Sequence, residues 1–100
     1  MSVHSRLANK NREVLIDVKG HFDFSIQREF RDAYRDYDDG LTFRVNLSGT
    51  EYMESSALGM LLLLRKHAGD VSNRVVLSGA NGVVSKILSI ANFDKLFVIE

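Results

Sequence analysis

Residues 42–69 read TFRVNLSGTEYMESSALGMLLLLRKHAG, and this one run holds a strand, a loop and a helix in the order that sets the fold class. Over residues 42–48, Phe43, Val45 and Leu47 alternate with Thr42, Arg44, Asn46 and Ser48. That two-residue period belongs to a strand with one apolar face. The polar second face predicts a sheet covered by helices on one side only. Residues 49–54 read as an irregular loop. Residues 55–68 read as a helix, and Gly69 stops it.

The same alternation of periods continues on both sides. Upstream, residues 25–37 carry Ile26, Phe30, Ala33, Tyr34 and Tyr37 on one helical face, with Asp23 or Ser25 as the N-cap and 36–40 as a polar closing turn. Before it, residues 13–19 place Val14, Ile16 and Val18 on one face of a strand. Asn9-Lys10-Asn11 is a turn, since asparagine tolerates left-handed angles, and joins that strand to an edge strand over 3–8. Downstream come a strand at 74–78 and a helix capped by Asn81, with Val83, Val84, Ile87, Leu88 and Ala91 as its stripe. A terminal strand at 96–99 closes the series. The order is ββαβαβαβ, which predicts right-handed crossovers and a mixed β-sheet with its helices packed on one face. The fold class is an α/β open sandwich, and residues 1–100 make a single domain.

Bulk composition narrows the function. Thirteen basic and thirteen acidic residues cancel, and no basic cluster stands out, which argues against nucleic acid as a partner. Cysteine is absent, so neither disulfides nor zinc thiolates arise. His4, His21 and His67 lack chelating spacing, and the acidic turn of Asp36, Asp38 and Asp39 has its glycine one place early for a calcium loop. No metal or other cofactor is expected. The start of the chain has no apolar signal-like run, and the longest apolar stretch, 60–64, is too short to span a membrane. The expected location is the cytoplasm.

Met53-Glu54-Ser55-Ser56-Ala57-Leu58-Gly59 follows a strand ending in Leu47-Ser48-Gly49 and opens a helix. This run resembles the hallmark of the STAS domain, and within it the anti-sigma factor antagonists of bacterial partner-switching systems. Gly20-His21-Phe22-Asp23 is similar to the family's step before its first helix, and Val75–Ser78 with Asn81–Val84 is similar to its next strand and helix. The resemblance covers nearly the whole chain. Three residues depart from the usual pattern: Glu54 for Asp, Ala57 for Gly, and Asn46 for a common Asp. The family's usual C-terminal helix has no counterpart before Glu100.

The resemblance implies a non-enzymatic phospho-switch with Ser56 as the acceptor. Its unphosphorylated form would bind a regulator, a serine kinase of GHKL-type ATPase fold acting as an anti-sigma factor or similar. Phosphorylation would release that complex, and a metal-dependent PPM-type phosphatase would restore it. The output stays open among transcription, biofilm formation, motility and stress response.

The residues support that picture by themselves. A serine at a helix start is expected to be exposed, with Ser55 as the cap, and the helix N-terminus tolerates an added phosphate of about −1.5 to −2 charges. A partner lying over the helix would have to bury or oppose that charge. The expected partner-binding residues are Asp23, Glu54, Ser55, Ser56, Ala57, Met60, Leu63 and Leu64, since the second helix is more apolar than one stripe requires. Plain capping by the serines and a purely core role for the leucines are the simpler alternatives. A serine hydrolase fits poorly: Gly-x-Ser-x-Gly is absent, and His67 lies about 16 Å from Ser56 along the same helix. No Gly-x-x-x-x-Gly-Lys loop supports nucleotide binding. The remaining alternative is a constitutive scaffold, a subunit of a larger regulatory assembly that binds without phosphorylation.

Overall fold

The turn at Asn9, Lys10 and Asn11 takes left-handed angles at all three residues in the computed structural model, which describes residues 2–38 and 40–100. It folds β1 (Ser2–Ala8) antiparallel onto β2 (Glu13–Phe22), pairing Val3 with Val18 and Leu7 with Val14. A 3-10 turn, Phe24–Ile26, then leads into α1 (Gln27–Tyr34), which is shorter than the apolar periodicity suggested. Tyr37 packs against the core from the turn beyond the helix. Asp39 of the acidic turn lies outside the described residues, and Asp38 accepts a bond from Gly40 N–H at 2.9 Å.

β3 (Thr42–Asn46) lies parallel to β2, β5 (Val75–Ser78) parallel to β3, and β6 (Val98–Ile99) parallel to β5. The sheet order is β1-β2-β3-β5-β6. α2 (Ser55–His67) and α3 (Gly82–Ile90) fill the other crossovers. Each crossover steps the same way across the sheet, so right-handed connections place all three helices on one face. Burial agrees. Val14, Ile16, Val18, Phe43, Val45, Val75 and Leu77 are buried beneath the helices, while Thr42, Arg44 and Asn46 stay partly exposed on the opposite face.

One expectation fails in an instructive way. Residues 49–54 are not simply a loop: β4 (Thr50–Met53) resumes beside β2 where β3 leaves off. Gly20 pairs with Thr50 but His21 with Tyr52, so Glu51 is the extra residue of a β-bulge. The sequence hid this strand because its two buried residues, Thr50 and Met53, are three apart. Buried Thr50 also holds it in place by donating Oγ1–H to the Val18 carbonyl at 2.7 Å.

Smaller differences lie at the other end. The terminal strand shrinks to two residues, because Leu96 closes a 3-10 turn, Phe93–Lys95, and buried Phe97 stacks on Phe93 at 5.0 Å. Val83 falls outside the buried stripe of α3, which Val84 and Leu88 anchor. Among the described residues, no helix is long and apolar enough to cross a membrane.

Asn46 has a role on the helix-free face. Its amide donates Nδ2–H to Asp17 at 2.8 Å, and its Oδ1 accepts from Ser48 N–H at 3.1 Å. The amide supplies both a donor and an acceptor, where an ionised carboxylate could only accept. Asn46→Asp replaces the donor by a second carboxylate facing Asp17, so it should lower stability by about 1–3 kcal/mol at pH 7. The repulsion raises the pair's pKa in the folded variant, so the loss is full at neutral pH and shrinks as acid protonates one carboxylate. Urea denaturation of both proteins at pH 7 and pH 4.5 measures this. An equal loss at both pH values would refute it.

Candidate functional site

All three helices start at the carboxyl end of the parallel strands, so residues far apart in sequence meet there. The β2–β4 ladder makes the closest meeting. Phe22 pairs with Met53, and Glu54 N–H donates to the Phe22 carbonyl at 3.0 Å. The backbones of Asp23 and Glu54 flank this bond.

Asp23 behaves as predicted, capping the turn that opens the first helical segment. Its carboxylate accepts from Ser25 Oγ–H and from Ser25 N–H, the latter at 2.9 Å. These bonds, the side-chain one foremost, hold its pKa below the ordinary value. The cap therefore survives to lower pH than an unpartnered aspartate would allow and is lost only when acid passes that lowered pKa. Phe24, which sequence reasoning missed, projects beside it with 66% of its surface exposed. Its signal was its position two residues before Ile26, off the buried stripe.

The start of α2 corrects two expectations. Glu54, not Ser55, occupies the N-cap position, and its side chain makes no capping bond. Ser55 is the first helical residue and is exposed. Ser56, expected to be exposed, is partly buried; its Oγ is buried and has no hydrogen-bond partner in the protein. Helix geometry explains the difference. Each residue turns by about 100°, so Ser56 shares a flank with Met60 and Leu63 at i+4 and i+7. Met60 and Leu63 border the groove against Phe30, Arg31 and Tyr34 of α1.

The apolar helix divides cleanly. Ala57, Met60, Leu61 and Leu64 are buried in the core. Met60 and Leu64 therefore leave the expected partner surface, as does Ala57, because the side of α2 they occupy is packed into the core. Leu63 stays on it, 52% exposed, joined by Leu62 at 41%. Exposed Gly59 lies between these leucines and Ser55.

Other polar groups serve the frame. Asn81 caps α3, accepting from Val84 N–H at 2.9 Å while donating to the Thr50 carbonyl at 2.9 Å, which ties α3 to β4. His67 donates Nε2–H to the Tyr37 carbonyl at 2.8 Å and packs against the rings of Tyr34 and Phe43. It sits at the far end of α2 from Ser56. His21 lies 3.9 Å from Glu51 and edge-on to Tyr52, all three exposed. Among the described residues, no group of three or more His, Asp or Glu is placed to hold a metal ion.

Known proteins share this architecture. The family model described as "Mlab, STAS domain" matches residues 5–100. A STAS-domain containing protein of Pseudomonas aeruginosa strain UCBPP-PA14 is 41% identical over 103 residues, covering all of both chains. An anti-sigma factor antagonist structure from Thermotoga maritima, described as putative in its own name, superposes with a TM-score of 0.79 at 17% identity, covering 97% of this chain and 84% of that one. Unphosphorylated SpoIIAA, an anti-sigma factor antagonist, gives 0.72 at 17% identity, covering 99% and 87%. Its phosphorylated form, a Bacillus cell fate determinant, gives 0.67 at 16%, covering 99% and 91%. At these identities the structural likeness establishes the fold.

The division of α2 is testable by a pair of substitutions. Leu63→Lys should change the unfolding free energy by less than about 1 kcal/mol, as at an ordinary surface position. Leu64→Lys buries an unpaired charge and should cost more than about 3 kcal/mol or prevent folding. Circular dichroism and chemical denaturation read both; equal losses would refute the division.

Proposed function

The chain belongs to the STAS domain family, and we propose that it works there as a phosphorylation-controlled partner switch with Ser56 as the acceptor. The observation that carries the reading is the convergence at one end of the sheet. Ser56 lies in the first turn of α2, two residues after Glu54, whose backbone bonds to that of Phe22 next to Asp23, and exposed Leu62 and Leu63 follow along the same helix. Ser55 is exposed in the same turn.

Electrostatics gives this surface two states. Unmodified, it offers apolar contact beside a few negative charges. A phosphate adds about −1.5 to −2 charges next to Asp23 and Glu54. The helix N-terminus offsets part of that within the domain. A partner packed over the surface has no such compensation and must desolvate the new charge, which favours release.

In this scheme the unphosphorylated chain binds an anti-sigma-type regulator that is also a serine kinase of GHKL-type ATPase fold. That kinase phosphorylates Ser56, and a PPM-type phosphatase reverses it. The chain supplies no catalytic group, and the exchange runs in the cytoplasm. SpoIIAA, whose fold this chain shares, is known in both an unphosphorylated and a phosphorylated form, which supports the reading.

Ser56→Ala and Ser56→Asp test it. Both should fold: Ser56→Ala should lose at most about 1 kcal/mol, while Ser56→Asp, whose carboxylate must leave the buried position of Oγ, should lose about 1–3 kcal/mol, offset in part by the helix N-terminus. Ser56→Ala should retain the regulator that co-purifies with the chain from its own cells, whereas Ser56→Asp should bind it at least tenfold more weakly by calorimetry. Mass spectrometry should place phosphate on Ser56 and not on Ser55. Equal affinities of the two variants would leave a constitutive scaffold as the function.

A further inference from the structure

The acceptor oxygen proposed above is hidden in the folded domain. Ser56 Oγ is buried and unpartnered, and a phosphoryl donor must approach that oxygen directly. Three features of the surrounding turn bear on how it is uncovered. The N-cap residue, Glu54, makes no side-chain capping bond, and no further acidic residue lies in the first turn. The buried hydroxyl forgoes its hydrogen bonds, which water would supply on opening. Gly59 is an exposed helical residue where an added Cβ would meet nothing within 4 Å, so packing gives no reason for glycine there. Each feature weakens the same two turns. Within residues 54–59 the small Ala57 is the side chain buried in the core, whereas α3 has a fully formed asparagine cap and the later turns of α2 are anchored by the larger Leu61 and Leu64.

We infer that residues 54–59 form a weak helical start that opens locally, and that this opening exposes the Ser56 hydroxyl for modification. The closed helix is the form that presents the binding surface, and the open form is the one a kinase acts upon. The inference rests on Ser56 as the acceptor for its consequence, but the opening itself needs no kinase to be measured. Stabilising the helix start should slow modification of Ser56 without removing its hydroxyl. Binding and modification are thereby drawn from two conformations of one segment.

The chain has no cysteine, so a single introduced thiol can be followed without background. Ser55→Cys and Ser56→Cys are treated with Ellman's reagent under native conditions, each also in combination with Gly59→Ala and with Glu54→Asp. The thiol at 55 should react near the rate of an exposed cysteine and be little changed by either added substitution. The thiol at 56 should react at least tenfold more slowly. Gly59→Ala should slow it about a further fivefold, the helix preference of alanine over glycine written as an equilibrium. Glu54→Asp, which supplies a capping side chain, should slow it in the same direction.

Amide exchange on the unaltered chain provides a second reading that needs no variant. Gly59 and Met60 amides should exchange at least tenfold faster than that of Leu64. Equal thiol rates at 55 and 56 would overturn the inference. So would a slow thiol at 56 that neither added substitution changes, since rotation of the side chain alone would then suffice. Gly59 and Met60 amides as protected as Leu64 would overturn it too. Failure of the switch reading looks different: the opening is observed, but phosphate never maps to Ser56.

Discussion

The hydrogen bond from buried Thr50 to the Val18 carbonyl holds the point on which the rest of this molecule turns. β3 ends at Asn46 between β2 and β5, and the chain bonds first toward β5 and then toward β2. Leu47 N–H donates to the Ser78 carbonyl at 2.7 Å, then Gly20 N–H donates to the Gly49 carbonyl at 2.9 Å. Thr50 locks the return, with its carbonyl held in turn by Asn81. A Cβ at Gly79 would come within 3.0 Å of Ser48, and its φ of +75° suits glycine, so this crossing is closely packed. Everything after it inherits the position. β4 ends where Phe22 can accept from Glu54, and α2 begins beside Asp23 because of that bond.

This geometry couples stability and function without merging them. The inward face of α2 supplies Ala57, Leu61 and Leu64 to the core, so the helix body is fixed by burial. Its first turn reaches the core only through the small side chain of Ala57 and lacks a side-chain cap. A firm body with a weak start suits a segment that must both display a surface and yield an acceptor group. The energies involved are small. A cap and a glycine each amount to about 1 kcal/mol, enough to change an open population several-fold while leaving the domain folded.

The departures from the usual family pattern acquire local reasons. Asn46 donates to Asp17, where a carboxylate could not. Ala57 is buried in a helical conformation, so glycine's freedom is not required. Glu54 keeps the negative charge beside Asp23 but leaves the helix without a side-chain cap. The first two are matters of frame; the third bears on the switch.

The sequence by itself determined the order of every element but β4, the side of the sheet that is buried, the cap at Asn81, and the family. Those properties follow from period-two and helical spacing and from short motifs, which local physics dictates. Only the tertiary structure revealed β4, because a strand that continues across a bulge has no alternating pattern of its own. It also decided that Met60 and Leu64 are core while Leu62 and Leu63 are surface. A run of five apolar residues covers every direction around a helix, and spacing cannot say which one faces the sheet. Ser55 and Ser56 illustrate the same limit at a single step. Adjacent identical side chains differ by about 100° of rotation, so which hydroxyl is buried depends on how α2 is turned against the rest of the domain, and that is settled by packing between distant parts of the chain.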